Sequence, residues 1–172
     1  MKKGILAAFV AALALTLTAE IYAQTNDTGN METKERIYGS VFPRGEKLPE
    51  MFAKYFTGQA YLARLTRDEA LNCPVSNVTF EPGCRNNWHI HHAKNGGGQI
   101  LVCVAGHGYY QEWGKPAQEL RPGDVVNIPV GVKHWHGAAK DSSFAHIAIE
   151  VPAEGSSNEW LEPVSDEDYA KL

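Results

Sequence analysis

Residues 83–106 read GCRNNWHIHHAKNGGGQILVCVAG, and the rest of the chain is organised around them. His89 and His91 stand two apart in a strand-like stretch, so the period of two along a strand turns both imidazoles to one face. Two imidazoles on one face are half a metal site. Gln99 opens an apolar run, Ile100 to Ala105, that reads as the next strand, with the glycine-rich residues 93–98 as the connecting loop. The Gln99 carboxamide oxygen, at the mouth of that strand, can serve as a third ligand. A fourth has to come from elsewhere, and His134-Trp135-His136 is the one other place rich in histidine.

Length and composition bound the answer. The 172 residues, 44% of them hydrophobic, suffice for one globular domain with a real core and are too few for two domains with linkers. A net charge of -4, with no Lys/Arg cluster beyond the N-terminus, argues against a nucleic-acid partner.

The first residues read as a processing signal and not as fold. Met1-Lys2-Lys3 is positive, Ile5 to Ala19 is nearly unbroken apolar sequence without a charged face, and Ala23 is a small residue just before polar Gln24. Residues 1–23 are therefore expected to be a signal peptide; the run is short for a membrane span of ~20 residues. The mature protein is expected to be exported, to the periplasm in a Gram-negative cell, and free of the membrane after processing. An oxidising compartment permits a Cys73–Cys84 disulfide, but Cys103 in its apolar strand reads as a small buried hydrophobe, and three reduced cysteines is the preferred reading.

Residues 24–44 are expected to be a mobile segment, with the folded domain over 45–172 and its core at about 59–151. Leu48, Met51, Phe52, Tyr55 and Phe56 recur at helical spacing, which predicts a short amphipathic helix over Glu46 to Phe56 ending near Gly58. Nine short β-rich runs follow: residues 59–65, 75–81, 87–92, 99–105, 107–113, 117–121, 125–128, 132–136 and 144–151. Pro, Gly and Asp separate them at Glu81-Pro82-Gly83, Arg121-Pro122-Gly123-Asp124 and Pro129-Val130-Gly131. Many short strands at this spacing mean a sandwich or barrel. Ser165 stands three residues before Asp168, a capping pattern for a last short helix over Asp166 to Lys171.

All seven histidines lie between residues 89 and 146. His134 and His136 share a face as His89 and His91 do, while Trp88 and Trp135 alternate out of phase with them and should pack away from the histidines. Taken together, Gly83-x5-His89-x-His91 with Gln99-x6-Gly106 resembles the first cupin motif, and Gly123-x5-Pro129-x-Gly131-x2-His134 resembles the second. The resemblance implies an all-β, single-domain jelly-roll β-barrel with short flanking helices. It implies a divalent metal held by His89, His91, Gln99 and His134, with manganese first and iron, zinc, nickel or cobalt as alternatives. The chain is also similar to small single-domain cupins that include bacterial hydroxynitrile lyases, through Tyr55-Phe56-Thr57-Gly58, Thr79-Phe80-Glu81-Pro82-Gly83 and His134-Trp135-His136-Gly137-Ala138-Ala139. It resembles too the cupins associated with carboxymuconolactone-decarboxylase-like proteins. Two departures stand out: Gln99 replaces the usual Glu, and the spacer between His91 and Gln99 is longer than the family norm, so the extra residues should bulge out as loop.

Three neutral imidazoles and a neutral amide leave the charge of a dication uncompensated, which makes a stronger Lewis acid than a site with Glu. By the resemblance His146 matches a barrel-lining general base. His136, on the face of His134, is expected as the second catalytic residue, either supporting a ligand from behind or contacting substrate; His92 and His107 are expected at the surface. The expected function is that of an exported metal-dependent lyase, hydroxynitrile-lyase-like, acting on a small carbonyl or hydroxylated compound. An Fe(II) dioxygenase and a non-catalytic metal- or ligand-binding module are the alternatives. The resemblance also implies a homodimer or higher oligomer.

Overall fold

The computed structural model describes residues 40–66 and 72–172. The expected signal peptide and most of the expected mobile segment lie outside the described residues. The fold begins earlier than position 45, because Ser40 is buried, the Pro43 carbonyl accepts from Asn77 Nδ2 at 2.8 Å and Arg44 lies over the Tyr61 ring at 4.2 Å.

Among the described residues two large antiparallel sheets form the body, with one small two-stranded sheet beside them. The first contains β1 (Glu46–Lys47), β3 (Ala60–Arg64), β4 (Val75–Phe80), β13 (Phe144–Glu150), β8 (Gln99–Gly106) and β11 (Val125–Ile128), in that order. The second runs β10 (Gln118–Leu120), β9 (Gly108–Glu112), β12 (His134–Ala138), β5 (Arg85–Asn86) and β2 (Phe56–Thr57), with β6 (His89–His92) between β12 and β15 (Ser157–Trp160). This is a jelly roll, but no hydrogen-bonded ladder joins the two sheets among the described residues. The expected jelly-roll architecture is present, with its two sheets facing each other and not closed into one continuous ladder.

Alternation builds the core between the sheets. Along β8 every second residue from Gln99 to Ala105 is buried, and Leu101 and Cys103 meet Phe80, Phe144, Tyr110 and Ile128 in one apolar cluster. Trp88 and Trp135 point the other way, as their phase requires, and pack outside with Val164 and Tyr169. Two of the sequence's turns are built alike: Pro82 and Pro122 fix the first bend, and Gly83 (φ 78°) and Gly123 (φ 100°) supply the positive φ of a type II turn. Their closing bonds are Cys84 N–H to Glu81 O at 2.9 Å and Asp124 N–H to Arg121 O at 3.0 Å.

Other expectations need correction. The helix expected over Glu46 to Phe56 shrinks to α1 (Glu50–Ala53). Pro49 holds the preceding Leu48 in extended backbone, so the helix cannot begin before it, and Glu46–Lys47 pairs with β3 instead. The long spacer does not bulge out freely: β7 (Asn95–Gly96) pairs with β14 (Ala153–Glu154). At the other end α2 (Asp166–Tyr169) forms with Ser165 as its cap, its hydroxyl accepting from Asp168 N–H at 3.0 Å. All three cysteines are free, and burial pushes the Cys84 and Cys103 thiols up to about 12, so neither is a reactive thiolate.

Candidate metal centre

Two irregularities in the ladders aim the histidines. Along β12, Gly137 faces Arg85 and His134 faces His89, so three steps on one chain match four on the other and one residue bulges out near Asn87. That bulge turns the Asn87 carbonyl to the His89 ring, whose Nδ1 donates to it at 2.9 Å. On the facing sheet the β13–β8 register shifts between Ala145 and His146, which sets His146 opposite Cys103 and Glu150 opposite Gln99. His89, His91 and His134 thus come from one sheet, and Gln99, Glu150 and His146 from the other.

The side-chain hydrogen bonds sort the imidazole nitrogens. His89 Nδ1 donates to Asn87 O at 2.9 Å, His134 Nδ1 to Val132 O at 2.9 Å, and His91 Nδ1 to Asn158 Oδ1 at 2.7 Å. With each Nδ1 holding the proton, each Nε2 keeps its lone pair, the arrangement that metal-binding histidines need. His91 Nε2, His134 Nε2 and the Gln99 carbonyl oxygen are buried without a hydrogen-bond partner. Orphaned buried acceptors are costly unless something ligates them, and these three residues together with His89 fit a divalent ion of the nitrogen- and oxygen-binding kind. The ring centroids support the grouping: His89 to His134 is 4.1 Å, and His91 is 5.2 Å from both.

By distance alone a different trio stands out, since ligand-capable atoms of His89, His134 and His136 lie within 4.8 Å of one another. Three buried histidines can therefore hold a metal ion. Hydrogen bonding separates His136 from the others, because neither of its ring nitrogens is free. The Asn86 amide is fixed by the His136 N–H, which donates to Oδ1 at 2.9 Å, so Nδ2 faces the ring and donates to Nε2 at 3.1 Å. His136 Nδ1 then meets His146 Nε2 at 3.2 Å.

Burial keeps these rings neutral. It drives His134 and His146 down to about 4, and it holds His89 and His136 well below the usual histidine range, helped by neighbouring imidazoles. His89, His136 and His146, with His91 and Gln99, line a cavity of about 210 Å³, while His134 is buried behind them. Leu48, Phe52, Phe56, Leu62 and Trp160 wall its outer part, and neither Lys nor Arg lines it.

His92 is exposed and pairs with Glu159 at 2.7 Å, whereas His107 is only partly exposed. Four residues of the site went unread in the sequence: Asn86, Glu150, Asn158 and Trp160. Trp160 stacks on His89, centroids 4.7 Å apart, and on Tyr55 at 4.8 Å. Asn158 and Trp160 sit in a short, polar strand of Ser-Asn-Glu-Trp that carries no periodicity, so only its pairing with β6 reveals them.

Known proteins agree with this architecture. A family model described as the cupin domain matches residues 76–150. An (R)-mandelonitrile lyase from Granulicella tundricola is 42% identical over 121 residues, which cover 69% of this chain and 88% of that protein. The crystal structure of a cupin-like protein from Thermotoga maritima is 43% identical, with a TM-score of 0.66, and the match covers 76% of this chain and 95% of that one. A cupin 2 conserved barrel domain protein from Rhodopseudomonas palustris, at 18% identity and a TM-score of 0.56, covers 74% of this chain and 81% of its own, and shares the fold alone. The glycine turns, the facing sheets and these likenesses converge, and the chain belongs to the cupin family.

Proposed function

We propose that the chain is a metal-dependent lyase that breaks, or in reverse forms, the carbon–carbon bond beside the hydroxyl of a small neutral cyanohydrin-like compound. One observation carries the reading: unpartnered ligand atoms and unprotonated imidazoles lie at the base of a small cavity with apolar outer walls and no cationic side chain. Such a cavity suits a neutral molecule with one oxygen function and an apolar remainder, and apart from the ion itself it offers no cationic group to a second, anionic function. The likeness to a protein named (R)-mandelonitrile lyase supports the same substrate class.

His89, His91, Gln99 and His134 would hold the ion. When bound, a divalent ion supplies a Lewis acid toward the substrate oxygen and eases loss of its proton. His136 accepts that hydroxyl proton at Nε2, in exchange for the Asn86 amide hydrogen bond, and its Nδ1–H, 3.2 Å from His146 Nε2, lets the charge be shared between the two rings. Both rings are unprotonated at neutral pH because they are buried, so they are ready to accept. As the carbonyl forms, the carbon–carbon bond electrons leave with the carbanion, cyanide in this class, which takes the proton back from the pair. Asn86 keeps His136 in register, and Phe56, Phe80 and Trp160 exclude water from the apolar part of the substrate.

The deciding experiment measures metal content of untagged protein by elemental mass spectrometry beside a His89→Ala/His134→Ala variant, then follows aldehyde release from mandelonitrile without oxygen. About one equivalent in the parent, none in the variant, and anaerobic turnover support the lyase. Oxygen uptake coupled to turnover would replace it with the dioxygenase; ligand binding without turnover would leave a binding module. Export is proposed on residues 1–23 alone, and N-terminal sequencing of secreted material tests it, with an intact Met1 counting against it.

A further inference from the structure

The geometry points to Glu150 as the positioning residue for the Gln99 ligand, an inference that rests on the ligand set proposed above. A carboxamide has two nearly isosteric ends, and only the oxygen can bind a cation. Something must decide which end faces the imidazoles. Glu150 stands directly opposite Gln99 in the β13–β8 ladder, and its Oε1 accepts from Gln99 Nε2 at 2.5 Å. A carboxylate accepts and cannot donate, so it selects the amide nitrogen and leaves the oxygen on the other side. That oxygen is the buried atom without a partner.

Charge follows from the same bond. The carboxylate that cupins usually place at position 99 is here moved one hydrogen bond behind the ligand. The expectation that the amide leaves the ion's charge wholly uncompensated therefore changes: a negative group remains, at longer range, and polarises the amide so that its oxygen is a better donor to the ion. The slipped register between Ala145 and His146 is part of the device, because it brings Glu150 level with Gln99.

Manganese(II) affinity, measured by calorimetry on the full chain, tests the assignment, with cobalt(II) visible spectra as a second reading of the coordination sphere. Glu150→Leu should weaken binding by about 10–100-fold, the loss typical of outer partners of metal ligands. Its cobalt(II) spectrum should shift. The exchanged pair Gln99→Glu/Glu150→Gln, in which the carboxylate becomes the ligand and the new amide donates to it, should bind at least as tightly as the parent. Glu150→Leu with parental affinity and spectrum would overturn the assignment. So would an exchanged pair that binds as weakly as Glu150→Leu, since Glu150 would then be a packing residue only. A parent chain that takes up no metal would instead sink the ligand set, a separate and visible failure.

Discussion

Acid should unfold the metal-free protein over an unusually early window, because its buried imidazoles must stay neutral to remain folded. His134 and His146 are fully buried and titrate at about 4 in the folded chain. In the unfolded chain each returns to about 6.5. Between those values the unfolded chain binds more protons, so stability is complete above about 6.5 and falls as the pH drops toward 4. From pH 7 to pH 5 each ring costs about 2 kcal/mol, so the two together cost about 4 kcal/mol. That is a large share of the ~5–15 kcal/mol that holds a domain together. His89 and His136 shift in the same sense and steepen the fall. The assay is urea unfolding in chelator at pH 7, 6 and 5, repeated for His146→Phe, whose slope over that range should be shallower by about 1 kcal/mol per pH unit. An unfolding free energy constant to within about 1 kcal/mol across that range would refute the reasoning.

Asn158→Ala removes the acceptor of His91 Nδ1–H, and metal affinity should fall by about 10–100-fold in a chelator competition while the melting temperature of the metal-free protein barely moves. Trp160→Ala deletes the ring stacked between Tyr55 and His89 and should destabilise the fold by about 2–4 kcal/mol in urea unfolding, with Trp160→Phe recovering part. Gly106→Ala should yield no stably folded protein by circular dichroism: a Cβ there would lie 1.8 Å from the Ser143 carbonyl oxygen, and φ is 71°.

How much of this was legible in the chain depends on what made each residue visible. The long strands announce themselves by alternation, and the imidazole pairs by a spacing of two, so β4, β6, β8, β12 and β13 and the faces of His89, His91, His134 and His136 follow from local pattern. Gln99 follows from its interval to Gly106. The two-residue strands do not, because a pair such as Arg85–Asn86 or Asn95–Gly96 is too short to show a period. Pro49 was in plain view, yet the helical spacing around it outweighed the restriction it places on Leu48. Asn158 and Glu150 belong to the site through partners 67 and 51 residues away, a relation that only sheet register creates. The two bulges, which aim His89 and His146, leave no mark in the residues that form them.

The last strand also orders events in time. β15 supplies Asn158 and Trp160 against His91 and His89, so the centre lacks two of its supports until residues 157–160 have been synthesised. A nascent chain exposing His89 and His91 alone offers an ion two ligands and no enclosure. An ion bound here would therefore be chosen by the folded site, in whichever compartment folding is completed, and the metal supply of that compartment, more than the ligands' intrinsic preference, would decide which element the site takes.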